Sequence, residues 1–287
     1  MLDLIIKPQN KKGQMTLKKV RQRLDGENIP YEVHFTEGKG DAQRIARELT
    51  EQGRCDLVVI GGDGSLNDVL TGMRDPSLCR LGLIPAGTGN DFSVSARIPA
   101  GEAALDLILK GEPKPTDYID CSDGRRSLNI AGMGIDVDIL LRCEKMKGFH
   151  DKSKYFFSLL ASLMKYSGCE LTIRAGGEEI RKKVLIAALC NGKQLGGGIP
   201  MCPAADISDG LLDVVVVDCP KRSKIPGALL KLMQGKVLSL PFATHFRCEE
   251  ASVISASPAV AQYDGELYQT AAMEATLKKG GLLMYRP

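Results

Sequence analysis

Short apolar runs and helical spacings alternate along the first part of the chain. Leu2 to Ile6 reads as a buried strand ended by Pro8; after a loop at Lys11 to Gly13, Leu17, Val20 and Leu24 recur at helical intervals up to Gly26. Tyr31 to Thr36 alternates as a strand does, and Asp41 is placed to cap a helix carrying Ile45, Ala46 and Leu49. Leu57 to Ile60 is wholly apolar, the pattern of a strand covered on both faces, and Leu66, Val69 and Leu70 then return to helical spacing as far as Thr71. Leu81 to Ile84 repeats the strand and Glu102 to Leu109 the helix. The alternation predicts a doubly wound α/β domain with a mainly parallel sheet over roughly the first 115 residues.

Beyond Gly111 to Pro115, a Pro-rich charged link, strand-like runs prevail: Ser127 to Ile130, Glu170 to Arg174, Val184 to Cys190, Leu212 to Asp218, Ala251 to Ala256 and Met273 to Lys278. Asp123-Gly124 is a hairpin turn, and the helical interruptions are chiefly Tyr155 to Tyr166 and Pro226 to Met233. These features predict an antiparallel, β-rich second domain.

Two glycine turns stand out in the first domain. Gly61, Gly62 and Gly64 follow the central strand and open onto a helix, so free N–H groups and the positive end of the helix dipole face a ligand; this is a phosphate seat. Asp63 sits inside the turn, where a carboxylate serves best by holding a divalent cation. The second turn, Pro85-Ala-Gly-Thr-Gly-Asn-Asp-Phe92, offers the Thr88 hydroxyl with Asn90 and Asp91 as caps or cation-facing groups. Strand-end loops on neighbouring strands converge at one edge of a sheet, which makes a nucleotide-phosphate site the better reading than two empty turns.

Gly61-Gly-Asp-Gly-Ser-Leu-Asn-Asp-Val69 and the Pro85 to Phe92 loop resemble the two signatures of the diacylglycerol kinase catalytic-domain family, and the resemblance runs from Met1 to the C-terminus. It implies a Rossmann-like nucleotide domain of the NAD kinase and phosphofructokinase type over residues 1–117 with 282–287, and a β-sandwich lipid-substrate domain over 118–281. It implies an ATP- and Mg2+-dependent kinase acting on the hydroxyl of diacylglycerol or a related membrane lipid. Nucleotide would be held by Lys7, Gln9, Asn10, Thr36, Gly61, Gly62, Asp63, Gly64, Ser65, Asn67, Gly87, Thr88 and Asn90. The first loop, Lys7-Pro8-Gln9-Asn10, departs from the family's usual Asn-Pro ending, and Ser65 stands where threonine is commoner.

In the late motif Tyr263-Asp-Gly-Glu266, the resemblance makes Asp264 or Glu266 the catalytic base beside Asp63, unranked between the two; spacing alone reads only a turn between strands. Asp63 and Asp91 would hold the catalytic cation, with Asp117 or Asp120 as a further acid. A structural magnesium would take the Asp209 carboxylate and the main-chain carbonyls of Asp206 and Leu211. Bacterial relatives imply a homodimer.

Net charge is only +3, which gives no reason for a nucleic-acid partner. The nine cysteines are scattered, with no Cys/His cluster of zinc-ligand spacing, and predict free thiols in a reducing cytosol; the three histidines have no partner at ligand spacing. The N-terminal run is a first strand and not a signal peptide, and nothing is long enough to span a membrane. A lipid kinase must then visit the bilayer surface as a peripheral protein. Tyr155 to Tyr166, near Arg142, Lys145, Lys147, Lys152 and Lys154, is a core helix beside a charged loop or a membrane-facing one. Two other functions fit parts of the pattern: an NAD or sugar-phosphate kinase, and a nucleotide-binding regulator without turnover.

Overall fold

The computed structural model describes residues 1–8, 11–145 and 151–287, without the side chains of 144, 151–156 and 164. β1 (Leu2–Ile6), α1 (Lys11–Gly26), β2 (Tyr31–Phe35), α2 (Asp41–Glu51), β3 (Asp56–Gly61), α3 (Asp63–Gly72), β4 (Arg80–Pro85), α4 (Asp91–Ser95) and α5 (Glu102–Lys110) form the first half. The strands pair in parallel in the order β2-β1-β3-β4. The chain moves one way from β1 to β2 and the other from β2 to β3, so right-handed crossovers place α1 opposite α2 and α3. Packing agrees: α1 meets α5, and α2 meets α3. The reversal leaves a crevice at the carboxyl ends of β1 and β3, between Lys7 and the first glycine turn.

The second half is antiparallel. β5 (Pro113–Cys121) turns at Gly124, φ +81, into β6 (Arg126–Ser127), and β7 (Ile130–Gly134) runs into α6 (Ile135–Lys145) and α7 (Asp151–Lys165). β8 (Cys169–Ala175), β9 (Glu178–Cys190), β10 (Leu212–Asp218), α8 (Ile225–Met233), β11 (Ala243–Cys248), β12 (Glu250–Ser255), β13 (Val260–Tyr263), β14 (Glu266–Gln269) and β15 (Ala272–Tyr285) follow. β9 pairs with β8 along its first half and with β7 along its second, with β10 on its other edge. It thereby runs from one layer of a β-sandwich into the other. Ile119, Met133, Ile173, Leu189, Val214, Val253, Tyr263 and Met273 fill the space between the layers. A second apolar cluster packs α6, α7 and the α8 region on the outer face of β9 and β10.

Several expectations change. Lys11 to Gly13 lies within α1, with Gly13 buried. Asp41 is the first residue of α2, not its cap; the cap is Gly40 at φ +84, and the Asp41 carboxylate turns back to accept the Glu37 and Gly38 N–H groups. The Pro-rich link is the start of β5, whose Pro115 and Pro113 pair with Leu283 and Tyr285 of β15. α6 and β11 were not anticipated, and β13 and β14 are the strands on either side of the turn expected at Tyr263 to Glu266.

β15 pairs with β12, then β5, and finally in parallel with β4 through Leu283 and Met284. It breaks register between Lys278 and Leu282, where Gly280 has φ +57. Asp117, 1% exposed, holds this break: its Oδ1 accepts the Gly280 N–H at 2.6 Å and its Oδ2 the Gly210 N–H at 2.8 Å. Burial pushes the Asp117 carboxyl up, and the two N–H donors pull it back. Asp117→Ala should cost roughly 3 kcal/mol, the price of two orphaned buried donors. Urea unfolding should show a lower midpoint at unchanged slope, and a wild-type midpoint would remove Asp117 from this role.

Candidate functional site

The two glycine turns touch main chain to main chain. Ala86 and Gly87 donate to the Gly61 carbonyl at 2.8 and 3.2 Å, and a Cβ on Gly87 would stand 2.5 Å from the Gly62 Cα. No side chain fits there, and neither backbone can yield. Asn90, at φ +55, is a staple: its Oδ1 accepts from Gly87 N at 3.1 Å and its Nδ2 donates to Gly87 O at 2.8 Å. The Asp63 carboxylate accepts the N–H groups of Asp91 and Phe92, both at 3.0 Å, and so fastens the second loop to the N-terminus of α3.

These turns form one wall of a cleft of about 780 Å³. Lys7, Gly62, Asp63, Gly64, Thr88, Gly89 and Asp91 line it from the first half; Asn129, Asp136, Leu195, Gly196, Gly197, Gln262, Asp264 and Glu266 line it from the second. Asp91 is 6% exposed and accepts Gln194 Nε2 at 2.8 Å and Gly197 N at 2.7 Å. Burial pushes its carboxyl up, and the charge of Asp63 adds to the push. A Cβ on Gly89 would lie 3.1 Å from Asp63 Oδ2 and 3.7 Å from Asp91 Oδ2, so the two carboxylates meet beneath that residue. A pair of hard, like-charged oxygen donors at a solvent-open cleft fits a divalent cation.

The Asp206, Asp209, Leu211 set is arranged differently. Asp209 accepts the Leu211 N–H through Oδ1 and pairs with the Arg247 guanidinium through Oδ2. Asp206 is turned onto Ser208, accepting its N–H and hydroxyl. Arg247 thus supplies the counter-charge of Asp209 in this structure. Asp117 and Asp120 are corrected: neither lines the cleft, and Asp120 pairs with Arg126 at 3.2 Å.

Asp264 and Glu266 are separated by their surroundings. Asp264 and Gly265, at φ +51 and +93, form the two-residue turn between β13 and β14. The Asp264 carboxylate accepts five hydrogen bonds: Ser127 Oγ at 2.6 Å, Leu128 N at 2.8 Å, Asn129 N at 2.9 Å, Ile130 N at 3.0 Å and Asn67 Nδ2 at 3.1 Å. Burial pushes the Asp264 carboxyl up, and these donors pull it down. Glu266 faces the cleft instead. Its Oε1 would lie 3.0 Å from a Cβ on Gly64, over the first turn of α3, and its Oε2 is 3.1 Å from Lys39 Nζ. Asp68, on α3, is pushed up to about 6 by burial and then by the Glu266 charge.

Of the remaining residues, Lys7 and Thr88 reach the cleft, while Gln9 and Asn10 lie outside the described residues. Ser65 packs its hydroxyl near Gly61. Thr36 is buried at the end of β2, where its N–H joins Ile6, and it does not line the cleft. Asn67 is 2% exposed, and its amide is committed to Asp264 and the Arg126 carbonyl, so it builds the site from behind.

Asp136 and Lys39 were not foreseen. The sequence signal for Asp136 is an acid following the glycine-rich end of β7, Gly132-Met-Gly-Ile-Asp136. Its Oδ2 is buried without a hydrogen-bond partner, and burial pushes the carboxyl up to about 6.

A parallel α/β unit whose glycine turns border a carboxylate-rich cleft, joined across that cleft to an antiparallel sandwich, defines a two-part α/β protein with a polar site between its halves. Residues 4–121 match the diacylglycerol kinase catalytic domain, and residues 129–284 the YegS C-terminal NAD kinase beta sandwich-like domain. The chain is 30% identical over 258 residues to the probable lipid kinase YegS-like of Pseudomonas putida, across 89% of this chain and 85% of that one. It is 36% identical over 196 residues to the namesake from Cronobacter sakazakii, across 66% and 65%. A diacylglycerol kinase structure from Bacillus anthracis superposes with a TM-score of 0.79 at 23% identity, covering 100% of this chain and 96% of its own. The chain belongs to the diacylglycerol kinase catalytic-domain family and is a kinase of that family.

Two predictions follow from the acids. Asp264→Asn replaces an all-acceptor carboxylate facing five donors, so it should cost roughly 3 kcal/mol or more in unfolding free energy. Glu266→Gln, tested beside it, should leave stability unchanged; equal losses would contradict the division. Asp68 and Asp136 hold protons in the folded chain up to about 6, against an ordinary 3.8. The folded state therefore binds more protons than the unfolded between those values, and stability falls as pH rises through that window. Asp136→Asn should flatten this slope in thermal unfolding between pH 4 and 6, an interval of about the same width.

Proposed function

We propose that this chain is an ATP- and magnesium-dependent lipid kinase that phosphorylates the hydroxyl of diacylglycerol or a related long-chain alcohol. The observation that carries the acceptor class is a continuity. The polar cleft shares Asp136 and Leu195 with an apolar slot lined by Ile139, Leu159, Leu163, Ile199, Leu229, Leu232 and Phe242. The slot lies under α7 and α8, which turn Phe157, Leu160, Leu230 and Met233 to solvent, 44–61% exposed. Lys224 precedes α8 and Lys231 lies in its last turn, where it donates to the Ser239 carbonyl at 3.1 Å; the Lys224 charge matches an anionic membrane surface. Arg142 is withdrawn from such a role by its pair with Asp138; Lys147 and the side chains of Lys152 and Lys154 lie outside the described residues. No described helix is long and apolar enough to cross a membrane.

In this reading the nucleotide phosphates rest on the N–H groups of the glycine turns and the α3 N-terminus, with Lys7 alongside. A divalent cation held by Asp63 and Asp91 supplies neutralisation of phosphate charge. Glu266 takes the acceptor proton, because its carboxylate faces the cleft while that of Asp264 is consumed by five donors. Lys39, paired with Glu266 at 3.1 Å, orients that carboxylate.

Labelled ATP with magnesium should transfer phosphate to a lipid in mixed micelles and not to NAD or fructose 6-phosphate. Glu266→Gln should lower kcat by roughly 10²–10⁴-fold, and Asp63→Ala should abolish turnover, both in folded protein. A labelled NAD or sugar product would overturn the acceptor class. ATP binding without transfer to any acceptor would leave a regulator.

A further inference from the structure

We propose that Cys202, Asp213 and His245 form a binding site for a divalent transition metal of the zinc class, on the face of the sandwich away from the layer interface. Spacing along the chain hides this set, and sheet register assembles it. Asp213 of β10 stands opposite Cys190 of β9 and Arg247 of β11, and His245 lies two residues before Arg247. Cross-strand partners, and residues two apart, share one face of a sheet. The loop between β9 and β10 delivers Cys202 onto that face, held by its N–H to the Lys193 carbonyl at 3.0 Å and by its own carbonyl, which accepts from Ala205 at 3.0 Å.

One donor atom from each of the three residues lies within 4.8 Å of the others. His245 Nε2 is 2.6 Å from Asp213 Oδ1. Cys202 is 0% and Asp213 1% exposed, and Asp213 Oδ2 is buried with no hydrogen-bond partner. A buried, half-satisfied carboxylate is costly unless something completes it. Sulfur, nitrogen and oxygen donors together are the zinc set, and one thiolate with one carboxylate balances a charge of +2 inside the protein. Cys190, also 0% exposed, stands opposite Asp213 on the neighbouring strand and borders the site. His245 keeps 27% of its side chain in solvent, which gives an ion a way in.

The other mixed cluster is different in kind. Around Asp3, Glu32 and His34, Arg54 already reaches both carboxylates, with Nε 3.1 Å from Asp3 Oδ2 and Nη2 2.6 Å from Glu32. Arg247 lies 3.4 Å from Asp213 Oδ1 through Nε, but it turns its Nη2 to Asp209 and leaves Asp213 Oδ2 open.

Binding forms bonds from the metal to Cys202 Sγ, an Asp213 oxygen and His245 Nε2. The thiol proton leaves to solvent, and His245 carries its ring proton on Nδ1. The ion would fasten the root of the loop whose Gln194 and Gly197 hold Asp91, so this site braces the cleft from outside.

The test uses the full chain, reduced, stripped with chelator and titrated with Co2+ and then Zn2+. We expect Co2+ to bind stoichiometrically with a cobalt–thiolate charge-transfer band, to release protons, and to be displaced by Zn2+, with a rise in thermal midpoint. Cys202→Ser should abolish the band. His245→Gln, at a part-exposed position, should weaken binding by about tenfold or more. No charge-transfer band, or a band unchanged in both variants, would overturn the site. These readouts do not involve phosphate transfer, so they stand or fall apart from the kinase reading.

Discussion

The site depends on one buried carboxylate. Asp264 gathers donors from α3 through Asn67, from the strand-to-strand segment Ser127 to Ile130, and offers itself from the turn of the β13–β14 hairpin. Burial of a charge is tolerable only with full hydrogen bonding, and burial of three consecutive N–H groups only with an acceptor. Each half of the arrangement removes the other's penalty. Because the turn is two residues long and left-handed at both, Glu266 emerges in fixed register opposite Tyr263 and its carboxylate lands over Gly64. Arg126, in the same segment, donates to the Leu70 and Met73 carbonyls at the far end of α3, so the helix that seats phosphate is gripped at both ends by the second half of the chain.

The cleft also concentrates unrelieved electrostatic cost. Asp91 and Asp136 are pushed up by burial, Asp68 by burial and by Glu266, and Asp136 keeps an oxygen with no partner. Acids packed only for stability, such as Asp3 beside Arg54 or Asp120 beside Arg126, carry their counter-charge with them. The difference sets the cleft apart from acids packed with their counter-charge, and the glycine turns border the same cleft.

Local signals were legible in the sequence. Apolar periodicity located the parallel strands and the helices between them, and the glycines marked both turns that border the cleft; the structure adds that Gly62 and Gly87 are needed because the turns touch. Roles that depend on tertiary neighbours were not legible. Nothing near Asp264 in sequence shows that it faces five donors, nor that Asn67 spends its amide on them. Arg247 lies far along the chain from Asp209, yet its guanidinium pairs with that carboxylate. The stretch at Gly111 to Pro115 read as a linker because proline breaks ladders, but the prolines sit where β5 borders β15 and the carbonyls still serve.

The lipid acceptor proposed above would impose a constraint on this architecture. Its hydroxyl would have to reach Glu266 at the polar cleft while its chain stays out of water, which requires polar and apolar spaces that adjoin without an intervening wall. Here the junction falls at Asp136 and Leu195, one acid and one aliphatic, where β7 runs into α6 and the Gln194–Gly197 loop crosses over. That loop also supplies the donors to Asp91. A shift that widened the apolar slot at Leu195 would therefore pull on the carboxylate nearest the phosphate turns. One short stretch of backbone thus both borders the apolar slot through Leu195 and holds the Asp91 carboxylate through Gln194 and Gly197.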